Sequence, residues 1–303
     1  MTSGATLQIS LELSPPFFRY GYASPMYNAM NGARHLLFGS YSRFGVNAQI
    51  ALPQHNVDRI QYTNVNSEEL DSVLEGDMLI PGFKSKSQLR GAAILTHNKW
   101  PNGVIPYDIS AITDSKDRDS IIRAMEKLMY DTGTPSPTPQ DPTWRLYDCV
   151  YFRPRTSADR TFVTIEYGTG CWANIGYYQN YRLKMLLQKG GCFDSGTIQH
   201  ELIHVLGFHH EHNRADRDDH IIINLDNVNE AEKYNFEKRR QEDLTDLYTK
   251  YDYDSIMHYS QTAFSKNGRP TMVPKKSGVQ IGHSKNLSPI DIEEIRRFYG
   301  CRA

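Results

Sequence analysis

Residues 200–210, His-Glu-Leu-Ile-His-Val-Leu-Gly-Phe-His-His, constrain the fold more than any other stretch of the chain. His200 and His204 are four residues apart, and on a helix that spacing puts both rings on one face. Gly207 accepts a left-handed backbone and stops the helix at once. The chain then doubles back, and His210 arrives at the same place. Neutral imidazole is a good zinc ligand, and three protein ligands leave a position open for water. Glu201, beside the first histidine, can reach such a water without ligating the ion, which is where a general base belongs. The spacing therefore predicts a helix, a glycine stop and a return loop around one Zn2+ per chain. A structural zinc site is the poorer account, because such sites usually complete four protein ligands and favour cysteine.

The rest of the 303-residue chain narrows the function further. A formal net charge of -1 gives no case for a nucleic-acid partner, and no apolar run of 18 residues predicts a membrane span. Cys149, Cys171, Cys192 and Cys301 are an even set, which suggests two disulfides with three possible pairings. Four reduced thiols are the alternative. Disulfides persist in oxidising compartments, so we expect a secreted protein. Met1–Tyr20 lacks a basic start, an apolar core and a small-residue cleavage site. The expectation is an export signal in a fuller N-terminus than this one.

Local patterns place several elements. Gly103–Ile109, Cys149–Arg153 and Thr161–Tyr167 read as strands. Ile121, Ile122, Met125, Leu128 and Met129 recur at helical spacing over 117–130, and 131–144 is a Pro/Thr/Gly loop. Asp194, Ser195 or Thr197 can cap the metal-binding helix. The charged segment 229–249 reads as a solvated helical face. Ser288-Pro289 opens a last helix with Ile292, Ile295 and Phe298 or Tyr299 on one side.

Downstream, residues 254–259 read Asp-Ser-Ile-Met-His-Tyr. The extended histidine motif followed by Ser-Ile-Met-His-Tyr resembles the astacin family of zinc endopeptidases, within the metzincins. The resemblance is strongest over 92–107, 192–218 and 251–259. It implies an α+β fold, with a mixed twisted sheet and the zinc helix in the N-terminal half of the catalytic domain. An irregular and helical C-terminal half completes it, and a partly ordered propeptide stands in front. It implies that His200, His204 and His210 hold zinc, Glu201 is the base and Met257 forms the Met-turn. Tyr259 becomes an additional ligand that swings to the oxyanion. Glu211 becomes the partner of the freed mature N-terminus, and the pairings become Cys149–Cys301 and Cys171–Cys192. In metzincins the second of the strands above, Thr161–Tyr167, is the edge strand to which substrate backbone adds.

The same resemblance divides the chain into an N-terminal segment (1–66) without clear periodicity, the end of a propeptide (67–91) and a catalytic domain (92–303). The family carries Phe-x-Gly-Asp in its propeptide, where the aspartate ligates zinc and silences the zymogen. This chain has Leu74-Glu75-Gly76-Asp77, which keeps the aspartate and lacks the phenylalanine. Arg90 offers a trypsin-like cut before Ala92, so an activating protease is an expected partner, with protein or peptide substrates. Arg214, Asp216 and Asp218 are read as a polar network behind the third ligand, and His209 and His212 as bystanders. The expected function is hydrolysis of internal peptide bonds by an enzyme made as a zymogen. A catalytically silent zinc-binding protein on a protease fold is the rival reading.

Overall fold

The structure is a computed structural model that describes residues 73–79, 99–133, 149–239 and 249–301. Its main element is a seven-stranded mixed sheet. The strands are β1 (Val73–Leu74), β2 (Met78–Leu79), β3 (Val104–Asp108), β4 (Tyr151–Pro154), β5 (Phe162–Tyr167), β6 (Cys171–Asn174) and β7 (Arg182–Leu187). They run in the order β1-β2-β6-β7-β5-β3-β4. Strands β4, β3, β5 and β7 are mutually parallel, β6 is antiparallel to β7, and β2 lies parallel to β6. Val163 and Ile165 of β5 and Leu183, Met185 and Leu187 of β7 are buried, as central strands require.

The expectation for Thr161–Tyr167 fails here. That strand lies inside the sheet between β7 and β3, the edges are β1 and β4, and the strand to which the hairpin β1–β2 adds is β6. Both segments have strand-like composition, and only the crossover order decides which one meets the hairpin.

Two helices cover the sheet. Helix α1 (Ser115–Thr132) starts at Asp114, whose side chain accepts from the Lys116 N–H. It buries Ile121, Ala124, Met125, Leu128, Met129 and Thr132, a stripe at three- and four-residue intervals. Helix α2 (Ser195–Leu206) carries the histidine motif. Asp194 alone caps it, accepting from the Gly196 and Thr197 N–H groups. Ile198, Leu202, Ile203, Val205 and Leu206 are all buried, so α2 runs through the core between α1 and β6. A helix end leaves four carbonyls without intrahelical partners, and in α2 each of the four is satisfied. Phe208 N–H donates to Ile203, Gly207 N–H to His204, the Trp100 indole to Val205 and the Tyr299 hydroxyl to Leu206. Gly207 makes this possible with φ 108°, a left-handed value that favours glycine.

Beyond Gly207 the chain is mostly irregular. A two-stranded ribbon, β8 (Ile221–Ile223) with β9 (Met272–Pro274), joins short 3-10 turns, and α3 (Pro289–Tyr299) closes the fold. Ser288 and Asp291 form a reciprocal capping box at the start of α3. The helix expected over 229–249 is instead a 3-10 segment at Glu230–Phe236 followed by irregular backbone to 239, and the remainder lies outside the described residues. Its Asn235 and Phe236 are buried and tied to the histidine loop, which a solvated charged face does not do.

Disulfides join Cys149 to Cys301 and Cys171 to Cys192, with Cα–Cα distances of 5.0 and 5.8 Å. In the chain-entropy account their 152- and 21-residue separations contribute about 5 and 3 kcal/mol. The first ties the end of α3 to the start of β4, and the second anchors β6 to the approach of α2.

Candidate active site

The backbone geometry of α2 and its return loop brings three rings together. His200 and His204 lie with ring centroids 4.8 Å apart, and His210 stands 5.2 and 4.7 Å from them. Each ring is oriented from behind. His200 Nδ1–H donates to the Ile256 carbonyl (2.8 Å) and His204 Nδ1–H to the Phe208 carbonyl (2.7 Å). His210 Nδ1 stands 3.1 Å from a Glu75 oxygen. These bonds fix the tautomer that leaves each Nε2 lone pair facing inward.

Asp77 completes the cluster. Its Oδ2 lies 3.2 Å from His200 Nε2 and 3.1 Å from His210 Nε2, and its Oδ1 lies 3.5 Å from His204 Nε2. The Nε2 atoms of His200 and His210 are 3.3 Å apart. Asp77 Oδ1 and His204 Nε2 are buried without a hydrogen bond. Donors about 2.0–2.1 Å from a tetrahedral ion stand about 3.3 Å from one another. The measured spacings therefore suit one zinc ion held by three imidazoles and a carboxylate, and these four residues are the group able to hold a metal among the described residues. Burial pushes His204 down to about 4, so its ring is neutral and fit to ligate. Burial also lowers His210, but the charges of Asp77 and Glu75 outweigh it and raise that ring to about 9.

Glu201 is 1% exposed, and its Oε2 has no hydrogen bond. Burial first, and then the nearby charge of Asp77, hold it well above the ordinary carboxylate range. Tyr259 packs its ring 4.3 Å from His210 and stacks on His212 at 4.1 Å. Gly282 makes that placement possible: a Cβ there would lie 2.2 Å from Ser260 backbone atoms and 2.5 Å from the Tyr259 carbonyl carbon.

The turn containing Met257 brackets the motif. Its Ile256 carbonyl holds His200, and its Met257 carbonyl accepts from the Glu211 N–H (3.1 Å). Asp291, on α3, accepts from Ser255 Oγ (2.6 Å) and from the Ile256 N–H (3.0 Å), fixing that turn in place. Glu211 is buried, accepts from the Asp252 N–H (2.6 Å) and lies 3.6 Å from Arg214. Burial, then the charge of Glu294, raise Glu211 well above its ordinary value.

Arg214 pairs bidentately with Asp216 and also reaches Thr249 and Glu294. Asp218 belongs to a different pairing, with Arg217 and Lys238, so it stands outside the network expected for it. His212 is buried and its Nε2–H donates to the Asn235 carbonyl, away from the histidine trio. His209 faces Glu75 at 3.7 Å.

Two residues of this region carry no sequence motif. Glu75 is 1% exposed, and its Oε1 accepts from Arg239, at 2.7 Å from Nε and closer still from a terminal nitrogen. Burial alone raises the Glu75 carboxyl, but Arg239, His209 and His210 outweigh it and hold it well below the usual range. The residues are 164 positions apart, and neither spacing nor composition signals the pair. The boundary expected at Arg90–Ala92 and the segment 1–66 lie outside the described residues. Among those described, no helix is long and apolar enough to cross a membrane.

Comparison with known proteins agrees with this geometry. Residues 141–300 match the peptidase family described as Astacin. Low choriolytic enzyme of Oryzias latipes is 34% identical over 243 residues, covering 78% of this chain and 81% of that protein. Zinc metalloproteinase nas-15 of Caenorhabditis elegans is 39% identical over 203 residues, covering 67% of this chain and 32% of that longer protein. The solved structure of high choriolytic enzyme 1, a hatching enzyme zinc-protease from Oryzias latipes, superposes with TM-score 0.58 at 35% identity, over 70% of this chain and 97% of that one.

Proposed function

The chain belongs to the astacin family of zinc metalloendopeptidases, and from that premise we propose that it is the zymogen of a secreted endopeptidase, silenced by its own residue Asp77. The observation that carries this reading is the convergence of one Asp77 carboxylate on the Nε2 atoms of His200, His204 and His210. The hairpin β1–β2 delivers it. That hairpin also occupies the open edge of β6, where Ala173 N–H donates to the Asp77 carbonyl (2.9 Å) and Ile175 N–H to the Leu79 carbonyl (3.1 Å). An extended substrate needs the same edge and the same position beside the histidines, so hairpin and substrate exclude each other.

His200, His204 and His210 would hold the zinc. When bound, it supplies Lewis acidity that lowers the pKa of a water and polarises a peptide carbonyl. Glu201, next to the first ligand, takes a proton as the water oxygen bonds to the carbonyl carbon. It returns that proton to the amine nitrogen as the C–N bond breaks. Tyr259 donates its hydroxyl hydrogen to the developing oxyanion. Removal of the segment before residue 92 frees the cleft, and the new amine pairs with Glu211, whose buried carboxylate gains a charged partner.

The test is the latency of the intact chain. Asp77→Ala should release casein-cleaving activity from uncut protein, whereas the parent chain should need trypsin. Equal activity of parent and variant before trypsin would remove Asp77 from its role. A trypsin-cut, zinc-loaded parent that cleaves nothing would favour the silent binding protein.

A further inference from the structure

The three histidines of the metal cluster are not oriented by the same part of the chain. His200 Nδ1–H donates to the Ile256 carbonyl and His204 Nδ1–H to the Phe208 carbonyl, so both take their acceptors from the catalytic domain that carries them. His210 does not. It stands before the short turn Glu211–Asn213 rather than on α2, and its own carbonyl accepts from the Asn213 N–H. Its ring takes an acceptor from the hairpin: His210 Nδ1–H donates to Glu75 Oε2 at 3.1 Å. Asp77 Oδ2 meets Nε2 of the same ring, also at 3.1 Å. One hairpin thus holds a single buried imidazole at both of its nitrogens.

The two oxygens of Glu75 divide the work. Oε1 accepts from Arg239, and Oε2 is left for His210. Arg239 is itself tied to the loop of His210, its backbone N–H donating to the Asn213 carbonyl (2.8 Å). Glu75 and Gly76, with φ 52° and 82°, make the left-handed turn between β1 and β2. A glutamate keeps such a backbone only where its surroundings fix it. The hairpin has other anchors: Ala173 N–H donates to the Asp77 carbonyl, and Ile175 N–H and Asn174 Nδ2–H both donate to the Leu79 carbonyl. A carboxylate behind a metal-bound imidazole fixes the tautomer and orientation of the ring and makes it a better ligand.

We propose that Glu75 is a positioning residue for the metal ligand His210, so that the uncut chain binds zinc more tightly than the loss of the Asp77 ligand on processing would account for. The inference rests on the reading of β1–β2 as a removable propeptide hairpin, and it adds metal loading to latency. Processing leaves His200 and His204 with their carbonyl acceptors and deprives His210 of its carboxylate. Zinc is therefore best acquired before the hairpin is cut away.

Zinc affinity of the full-length chain decides the matter without any turnover. Metal-free protein is titrated with Zn2+ in competition with a chromophoric chelator. Glu75→Ala should raise the Kd about 10–100-fold, the usual cost of removing such a partner from a metal-bound histidine. Glu75→Gln should cost less, because its carboxamide oxygen still accepts from His210 Nδ1–H. The comparison is then repeated in Asp77→Ala, which lacks the fourth ligand and keeps the backbone bonds of the hairpin to β6. The loss from Glu75→Ala should persist there to within about threefold. A Kd unchanged by Glu75→Ala overturns the proposal. So does a loss that vanishes in Asp77→Ala, because Glu75 would then act only by delivering Asp77.

Processing supplies a second test. Trypsin treatment of Asp77→Ala removes Glu75 without removing a ligand, and should raise the Kd by the same factor as Glu75→Ala. Cutting the double variant should leave the Kd unchanged within about twofold. Equal rises in the two chains would put the effect on the cut itself and overturn the proposal. A loss of zinc affinity in Glu75→Ala, in a chain that cleaves no casein after trypsin, would support the role of Glu75 and sink the peptidase reading alone.

Discussion

The residues before and after Gly207 are built on different principles. Between 99 and 206 the fold is a regular sheet and two helices around a large apolar core, in which Ile105, Ile121, Leu128, Ile165, Leu183, Met185 and Ile198 are fully buried. Two carboxylates near its surface, Asp108 and Asp159, are lowered by their partners. Bonds from Ser110 and Arg155 bring Asp108 to about 2, and the Arg153 guanidinium holds Asp159 far below its usual range. After Gly207 regular structure is scarce, and among the described residues a separate small apolar cluster has Ile221, Val228, Phe236, Tyr251, Met272 and Ile281 at its centre. Its cohesion comes from side chains bonded to backbone: Asn213 to the Asn235 and Glu237 carbonyls, Arg217 to the His212 carbonyl, and Asp291 to the Ile256 N–H. Two buried carboxylates of its last helix are raised: burial lifts Asp291 to about 6 and Glu294 to about 7. The site lies where the two constructions meet. The regular part supplies His200, His204 and Glu201 with helical precision, while the irregular part supplies His210, Tyr259 and the carbonyl that orients His200.

That contrast can be broken experimentally, and the largest effect is expected from the helix. Glu201→Ala should lower kcat/KM of the processed enzyme by about 10³–10⁴-fold while zinc content stays stoichiometric, because both proton transfers of the proposed mechanism run through this one carboxylate. Parent-like turnover would show that the base lies elsewhere. From the irregular part, Tyr259→Phe should cost about 10²–10³-fold, mostly in kcat, if the hydroxyl acts on the oxyanion, as proposed, and not on ground-state binding. A pure KM effect would assign it to substrate binding.

Stability should divide along the same line. Leu202→Ala, in the apolar core under α2, is expected to cost about 3 kcal/mol in chemical denaturation. Asn213→Ala removes two buried side-chain bonds and should cost about 1–3 kcal/mol. A cost from Asn213→Ala above that of Leu202→Ala would mean that polar bonding, not apolar burial, dominates the whole fold.

A last effect, comparable in size to that of Asn213→Ala, concerns pH. Asp291 is protonated more readily when folded than when unfolded. Its favourable contribution is therefore fully present below about pH 4, declines as pH rises, and is gone above about pH 6. Between those values the parent should lose about 2–3 kcal/mol relative to Asp291→Asn, the equivalent of a shift of about two units. Parallel stability curves for the two proteins across that window would show that the burial of Asp291 is already offset by its hydrogen bonds.

Much of this was legible beforehand, and unevenly so. The histidine spacing, the glycine stop, the Asp194 cap and the Ser288-Pro289 helix start act within a single turn of backbone, where local sterics and hydrogen bonding decide. The stripe from Ile121 to Met129 was readable for the same reason. The 229–249 segment was misread because its charges suggested solvent, while Asn235 and Phe236 pack under His212. Strand composition announced β5 and could not say that β6, not β5, pairs with the hairpin.

By itself, then, the sequence determined that His200, Glu201 and His204 stand together, since a helical repeat carries those residues together whatever surrounds them. It also carried the Gly-Asp pair but not the position of that pair. Only the tertiary structure decided that a hairpin more than 120 residues upstream reaches the three rings, that Arg239 meets Glu75, and which strand the hairpin joins. Contacts of that separation leave no periodic trace in the chain. They exist because burying the apolar core closes long loops, and whichever polar groups arrive together must then satisfy one another away from water.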